Sequence, residues 1–81
     1  MHVKVKLYFQ LKEKAGSGEI EMELPEKASI LNLKQELKSR YPQLNAHLKN
    51  VLVLMNQKIV LDDDLIKENA EISFLPPIGG G

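Results

Sequence analysis

The chain of 81 residues passes from an apolar stretch through two prolines into three glycines: Phe74, Leu75, Pro76, Pro77, Ile78, Gly79, Gly80, Gly81. The reactive group such an ending offers is the α-carboxylate of Gly81. A carboxylate is inert to nucleophiles at neutral pH. Transfer chemistry therefore needs prior activation, most simply as an acyl-adenylate made from ATP by a partner. Glycines lack a Cβ, so Gly79, Gly80 and Gly81 suit a narrow channel and nearly any φ/ψ. Pro76 and Pro77 lack N–H donors and hold extended geometry, which ends a sheet and aims the arm outward. A glycine-rich terminus is also often an unstructured appendage.

Other chemistry-bearing residues are sparse. Cysteine is absent, which excludes disulfides, thiolate metal sites and a cysteine nucleophile. Sulfur could not ride on this chain as its own persulfide. The carboxylate of Gly81 is the place left for it. His2 and His47 are isolated, the pattern of surface residues rather than metal ligands. With no grouping of acid, base and nucleophile, the chain reads as a protein co-substrate or subunit, not an enzyme. No bound cofactor is expected; ATP would be used by the partner.

Eleven Lys and Arg balance eleven Asp and Glu. A neutral chain has no general electrostatic case for nucleic acid or an anionic membrane. No apolar run reaches the length of a membrane span and no signal-peptide pattern opens the chain. A cytoplasmic location is the expectation.

The elements that must position the ending follow from periodicity. In residues 3–9, Val3, Val5, Leu7 and Phe9 share one parity against Lys4, Lys6 and Tyr8, predicting a strand with one face on a core. Gly16, Ser17 and Gly18 supply a turn. Residues 19–24 alternate Glu19, Glu21 and Glu23 with Ile20, Met22 and Leu24, an edge strand with a solvated acidic face. Ser29 is a candidate N-cap. Ile30, Leu33, Leu37 and Tyr41 form one helical stripe, opposite Lys34, Gln35, Lys38 and Arg40. Pro42 ends that helix, and 43–50 reads as a loop with at most one helical turn near Ala46–Leu48. Strands follow at 51–55 and 58–61, joined by a tight turn at Asn56 and Gln57. Leu65–Glu68 reads as a helical turn, Asn69 as a positive-φ position and 71–75 as the last strand. The order is β-β-α-β-β-β, an α+β domain: a mixed sheet of four to five strands with one main helix on one face. The expected division is a folded unit over 1–75 and a flexible glycine tail over 76–81.

Parity also assigns the outer face of the sheet. If Val3, Val5, Leu7, Ile72 and Phe74 face the helix, then Tyr8, Ser73 and Leu75 face away. In the all-apolar run 51–55, Leu52 and Leu54 are the outward candidates, with Val53 and Met55 in the core. Tyr8, Leu52, Leu54 and Leu75 would then form an apolar patch rimmed by Lys4 and Lys6, the mark of a protein-binding surface.

Three stretches carry a family resemblance. "LYFQLKEKAG" (7–16) is similar to the opening of the MoaD family, with Lys12 where arginine is usual. "VLMNQKIV" (53–60) is similar to its hairpin. "EISFLPPIGGG" (71–81) is similar to its ending and is the most specific of the three. Two positions depart from the pattern: Asn69-Ala70 replaces the usual Gly-Asp, and Gly79 stands where Ser, Ala or Thr is usual. The resemblance covers the whole chain and implies the ubiquitin-like β-grasp fold. It implies a small sulfur-carrier subunit of molybdopterin synthase whose Gly81 carboxylate is adenylated, then converted to a thiocarboxylate. The implied partners are an E1-like adenylating enzyme of the MoeB kind, a sulfur donor, and a MoaE-like large synthase subunit. Leu75, Pro76, Pro77, Gly79 and Gly80, with Tyr8, Leu52 and Leu54, would contact them. Three alternatives stay open: a carrier for thiamine or tRNA thiolation, a ubiquitin-like protein modifier, and a passive interaction domain.

Overall fold

The computed structural model describes residues 1–76. Its elements are β1 (His2–Leu7), α1 (Gln10–Ala15), β2 (Glu19–Glu23), α2 (Ile30–Arg40), a 3-10 segment (Pro42–His47), β3 (Leu52–Met55), β4 (Lys58–Ile59) and β5 (Glu71–Leu75). The five strands form one mixed sheet in the order β2-β1-β5-β3-β4. β1 and β5 run parallel at its centre, and the remaining pairs are antiparallel. This is the ubiquitin-like β-grasp arrangement.

The core lies between one face of the sheet and the helices. Val3, Val5, Ile72 and Phe74 are fully buried, and Ile30, Leu33 and Leu37 of α2 meet them with no exposed surface. The start of α2 is fixed locally. Ser29 Oγ accepts from the Asn32 amide at 3.2 Å, and Asn32 Oδ1 accepts from the Ser29 amide at 2.9 Å. This reciprocal capping satisfies two groups that the first turn leaves without partners. Asn56 (φ 50°) and Gln57 (φ 71°) take the left-handed backbone of a two-residue hairpin turn, and Asn69 (φ 59°) is also left-handed, in the turn before β5.

Several sequence expectations are corrected. The first strand stops at Leu7, and Phe9 lies 69% exposed rather than in the core. Residues Gln10–Ala15 form α1, which buries Leu11 and ends on Gly16 at φ 79°. The loop after α2 is a 3-10 segment over six residues that buries Leu44. β4 covers two residues, not four. Leu65–Glu68 contains no helical turn: Leu65 bridges Ser29 in extended pairing, and the Ile66 amide donates to the Ala28 carbonyl at 2.9 Å. That path buries Ile66. Lys34, expected on the wet side of α2, is 9% exposed, and its Nζ sits 2.6 Å from Asp62. Among the described residues, no helix is long and apolar enough to cross a membrane.

Candidate partner-docking face

β5 delivers the ending of the chain from the middle of the sheet. It hydrogen-bonds β1 on one side and β3 on the other, and its inward residues Ile72 and Phe74 are fully buried. The chain is thus held on both sides up to the end of β5, directly before Pro76. Pro76 is half-buried and forms one wall of a cleft of about 220 Å³ that Gln10, His47 and Asn50 also line. Pro77, Gly79, Gly80 and Gly81 lie outside the described residues.

Strand register gathers the expected outward residues. Leu75 pairs with Leu52, and Ser73 with both Leu54 and Lys6. The Tyr8 amide donates to the Phe74 carbonyl at 3.3 Å, which sets Tyr8 next to Leu75 across the sheet. Tyr8 and Leu52 are 37% and 38% exposed, and Leu54 and Leu75 are half-buried. Their inward neighbours Val53 and Phe74 retain 3% and 0%. The alternation of side chains along a strand produces this split.

Two apolar residues on or beside this face were not foreseen there. Ile59 pairs with Leu54 and stands 67% exposed. The two-residue turn at Asn56 and Gln57 fixes that register, so the signal was in the sequence. Phe9 turns the chain at the end of β1 with φ 54° and ψ −126°, closing a turn in which the Leu11 amide donates to the Tyr8 carbonyl at 3.1 Å. Glycine dominates this turn position. A side chain held in such a conformation costs of order 1–3 kcal/mol. No periodicity marks it.

The rest of the outer face is ionic. Lys6 Nζ lies 3.5 Å from Glu71 and Lys4 Nζ 4.0 Å from Glu19. The lysines expected as a cationic rim are therefore largely compensated. His2 is held between two carboxylates, with Nε2 2.7 Å from Glu21 and Nδ1 3.0 Å from Glu23. Both ring nitrogens can donate only in the imidazolium form. The hydrogen bond to Glu23, then that to Glu21, raises the His2 pKa above its ordinary value, and the same contact lowers that of Glu23. The acidic row of β2 is exposed, as its alternation implied, but it pairs with Lys4 and His2 of β1. The outer face thus divides into an ionic half over β2 and β1 and an apolar half where β5 ends.

The model of the ThiS family matches residues 5–81. The chain belongs to the ThiS family. It is 36% identical to the molybdopterin synthase sulfur carrier subunit of Dictyostelium discoideum, over 96% of this chain and 94% of that one. It resembles the structure of a putative molybdopterin converting factor, subunit 1, from Pyrococcus furiosus, with TM-score 0.89 and 28% identity over 96% and 99% of the two chains. It is also similar to SAMP1 from Haloferax volcanii, with TM-score 0.90 and 21% identity over the whole of both chains, a likeness of fold. The MoaD-type resemblance carried by its motifs thus agrees with its membership of this ThiS/MoaD family.

Proposed function

We propose that this ThiS-family chain is a sulfur carrier for molybdopterin synthesis and acts as the small subunit of the synthase. The observation that carries the reading is similarity along nearly the whole chain to a molybdopterin synthase sulfur carrier subunit. The chemistry of the residues agrees with it. The chain holds no cysteine, so a carried sulfur must reside elsewhere. In the proposed sequence, an adenylating partner joins the Gly81 carboxylate to the α-phosphate of ATP and releases pyrophosphate. Sulfide supplied by the donor then attacks the acyl carbon, AMP leaves with the bridging oxygen, and a thiocarboxylate remains. The large synthase subunit receives the tail and the sulfur.

The protein's own part in these steps is mechanical. β5, anchored between β1 and β3, presents the tail from a fixed base. The apolar face of Tyr8, Leu52, Leu54 and Leu75 gives each partner a surface to cover while Pro76, Pro77, Gly79 and Gly80 enter its channel. Catalytic groups and ATP belong to the partners, and the chain is their protein co-substrate.

Intact mass tests the reading. After incubation with an adenylating enzyme, ATP and a sulfur donor, the mass should change by one oxygen-to-sulfur exchange. A chain lacking Gly80 and Gly81 should show no exchange and keep its circular dichroism, since β5 ends at Leu75. Cofactor synthesis supported by the shortened chain would refute the proposal. Adducts on lysines of other proteins, without thiocarboxylate, would favour a protein modifier instead.

A further inference from the structure

Phe9 is an aromatic residue placed where glycine rests more easily, and its ring returns little to the fold. It is 69% exposed, while its neighbours in the core, Leu7 and Leu11, are buried. Its ring lies beside that of Tyr8, with centroids 6.4 Å apart and planes at 44°. Tyr8 in turn sits next to Leu75, so Phe9 carries the apolar face past the end of the sheet. Beyond it opens a cleft of about 780 Å³ walled by Tyr8, Phe9, Lys6 and Lys12 among others. Lys6 is taken by Glu71, whereas Lys12 forms no ion pair among the described residues. Strained backbone positions cluster at functional sites, and aromatic side chains, phenylalanine among them, are enriched in the cores of protein interfaces.

Resting on the sulfur-carrier reading, we infer that Phe9 is a specificity-determining anchor for the large synthase subunit. Its ring enters an apolar pocket of that subunit beside the channel that receives the glycine tail, with a carboxylate at the pocket rim facing Lys12. The large subunit is favoured over the adenylating enzyme because the Dictyostelium relative is named as a subunit of the synthase. A standing interface, unlike a passing encounter, keeps the exposed ring covered.

The test pairs Phe9→Gly with Phe9→Asn, residue types that dominate the positive-φ positions of primed turns. Calorimetric titration of the full chain against the purified large subunit should show Kd raised at least about tenfold for both, as for an aromatic anchor. The melting temperature should hold or rise, because the turn is relieved. Adenylation of the tail by the adenylating enzyme, followed by intact mass, should proceed as in the wild type. Unchanged affinity in either folded variant overturns the inference. So does affinity lost together with melting temperature, which assigns Phe9 to the fold. Adenylation lost in parallel with binding overturns the specificity for the large subunit. If the wild-type chain itself fails to bind, the sulfur-carrier reading falls and this inference with it.

Discussion

Replacing Leu75 with glutamate separates docking from folding. Leu75 is the last residue of β5, on the outward parity, paired across the sheet with Leu52. It is already half-buried by its neighbours. Full burial of a leucine contributes about 1.5–3 kcal/mol, so the surface still open can return only about 0.5–1 kcal/mol to a partner. A glutamate there adds the desolvation of a polar group in an apolar contact, about 1–3 kcal/mol where no partner group answers it. Together these exceed about 1.4 kcal/mol, the equivalent of a tenfold loss in affinity. Leu75→Glu should therefore raise Kd for the large subunit at least about tenfold. The isolated domain should stay folded, since the loss within the sheet is one cross-strand pair, about 0.2–1 kcal/mol. Phe74→Glu is the control. Phe74 is fully buried between β1 and β3. Its truncation alone removes about 3–5 kcal/mol, comparable to the whole stability of a small domain. Titration calorimetry and circular dichroism on both variants decide the matter. A folded Leu75→Glu that binds as tightly as wild type would refute the docking face.

Two further outcomes are expected. Gly80→Val adds a branched side chain and restricts the backbone where a narrow partner channel is proposed; sulfur transfer should be lost while the melting temperature barely changes, and full activity would refute a tunnel-like site. His2 has a raised pKa and Glu23 a lowered one, so their pairing stabilises the fold fully below the ordinary histidine value of 6.5 and above the ordinary glutamate value of 4.5. The histidine part is lost as pH rises through its folded pKa, and the glutamate part as pH falls through its own. Melting curves of wild type and His2→Gln should differ most inside that window and converge at alkaline pH, and a gap that widens there would contradict the clamp.

What could be read from the sequence was what local pattern determines. Alternation in β1, β2 and β5 and the stripe of α2 gave the sheet faces, the capped helix and the outward set at the end of β5. The two-residue turn fixes the β3–β4 register, so the place of Ile59 was legible there although parity within single strands did not bring it out. Phe9 misled because its parity matched Val5 and Leu7, while tertiary packing ended the strand. Leu11 reaches the core only if the chain turns at Phe9 and coils as α1, and Gly16 then serves as a helix cap rather than a hairpin turn. The Lys34–Asp62 contact spans 28 positions and leaves no local trace. The path of Leu65 and Ile66 beside Ser29 and Ala28 is equally non-local.

The strand order bears directly on how such a protein can hand over its ending. A tail leaving from an edge strand would be held by hydrogen bonds on one side, and a partner pulling on it could peel the strand away. β5 is instead the central strand, parallel to β1 and antiparallel to β3. Its inward residues Ile72 and Phe74 retain no exposed surface. Drawing Leu75 out of register would break pairings on both flanks and open the core, against a proline that can donate no replacement hydrogen bond. The apolar neighbours that cover the strand's end, Tyr8 on one side and Leu52 on the other, are the same residues that a partner would cover. On the proposed reading, holding the chain before Pro76 and marking where a partner binds would be served by one set of contacts. That coupling is why a substitution at Leu75 should act on docking, and one at Phe74, a single residue earlier, on the fold.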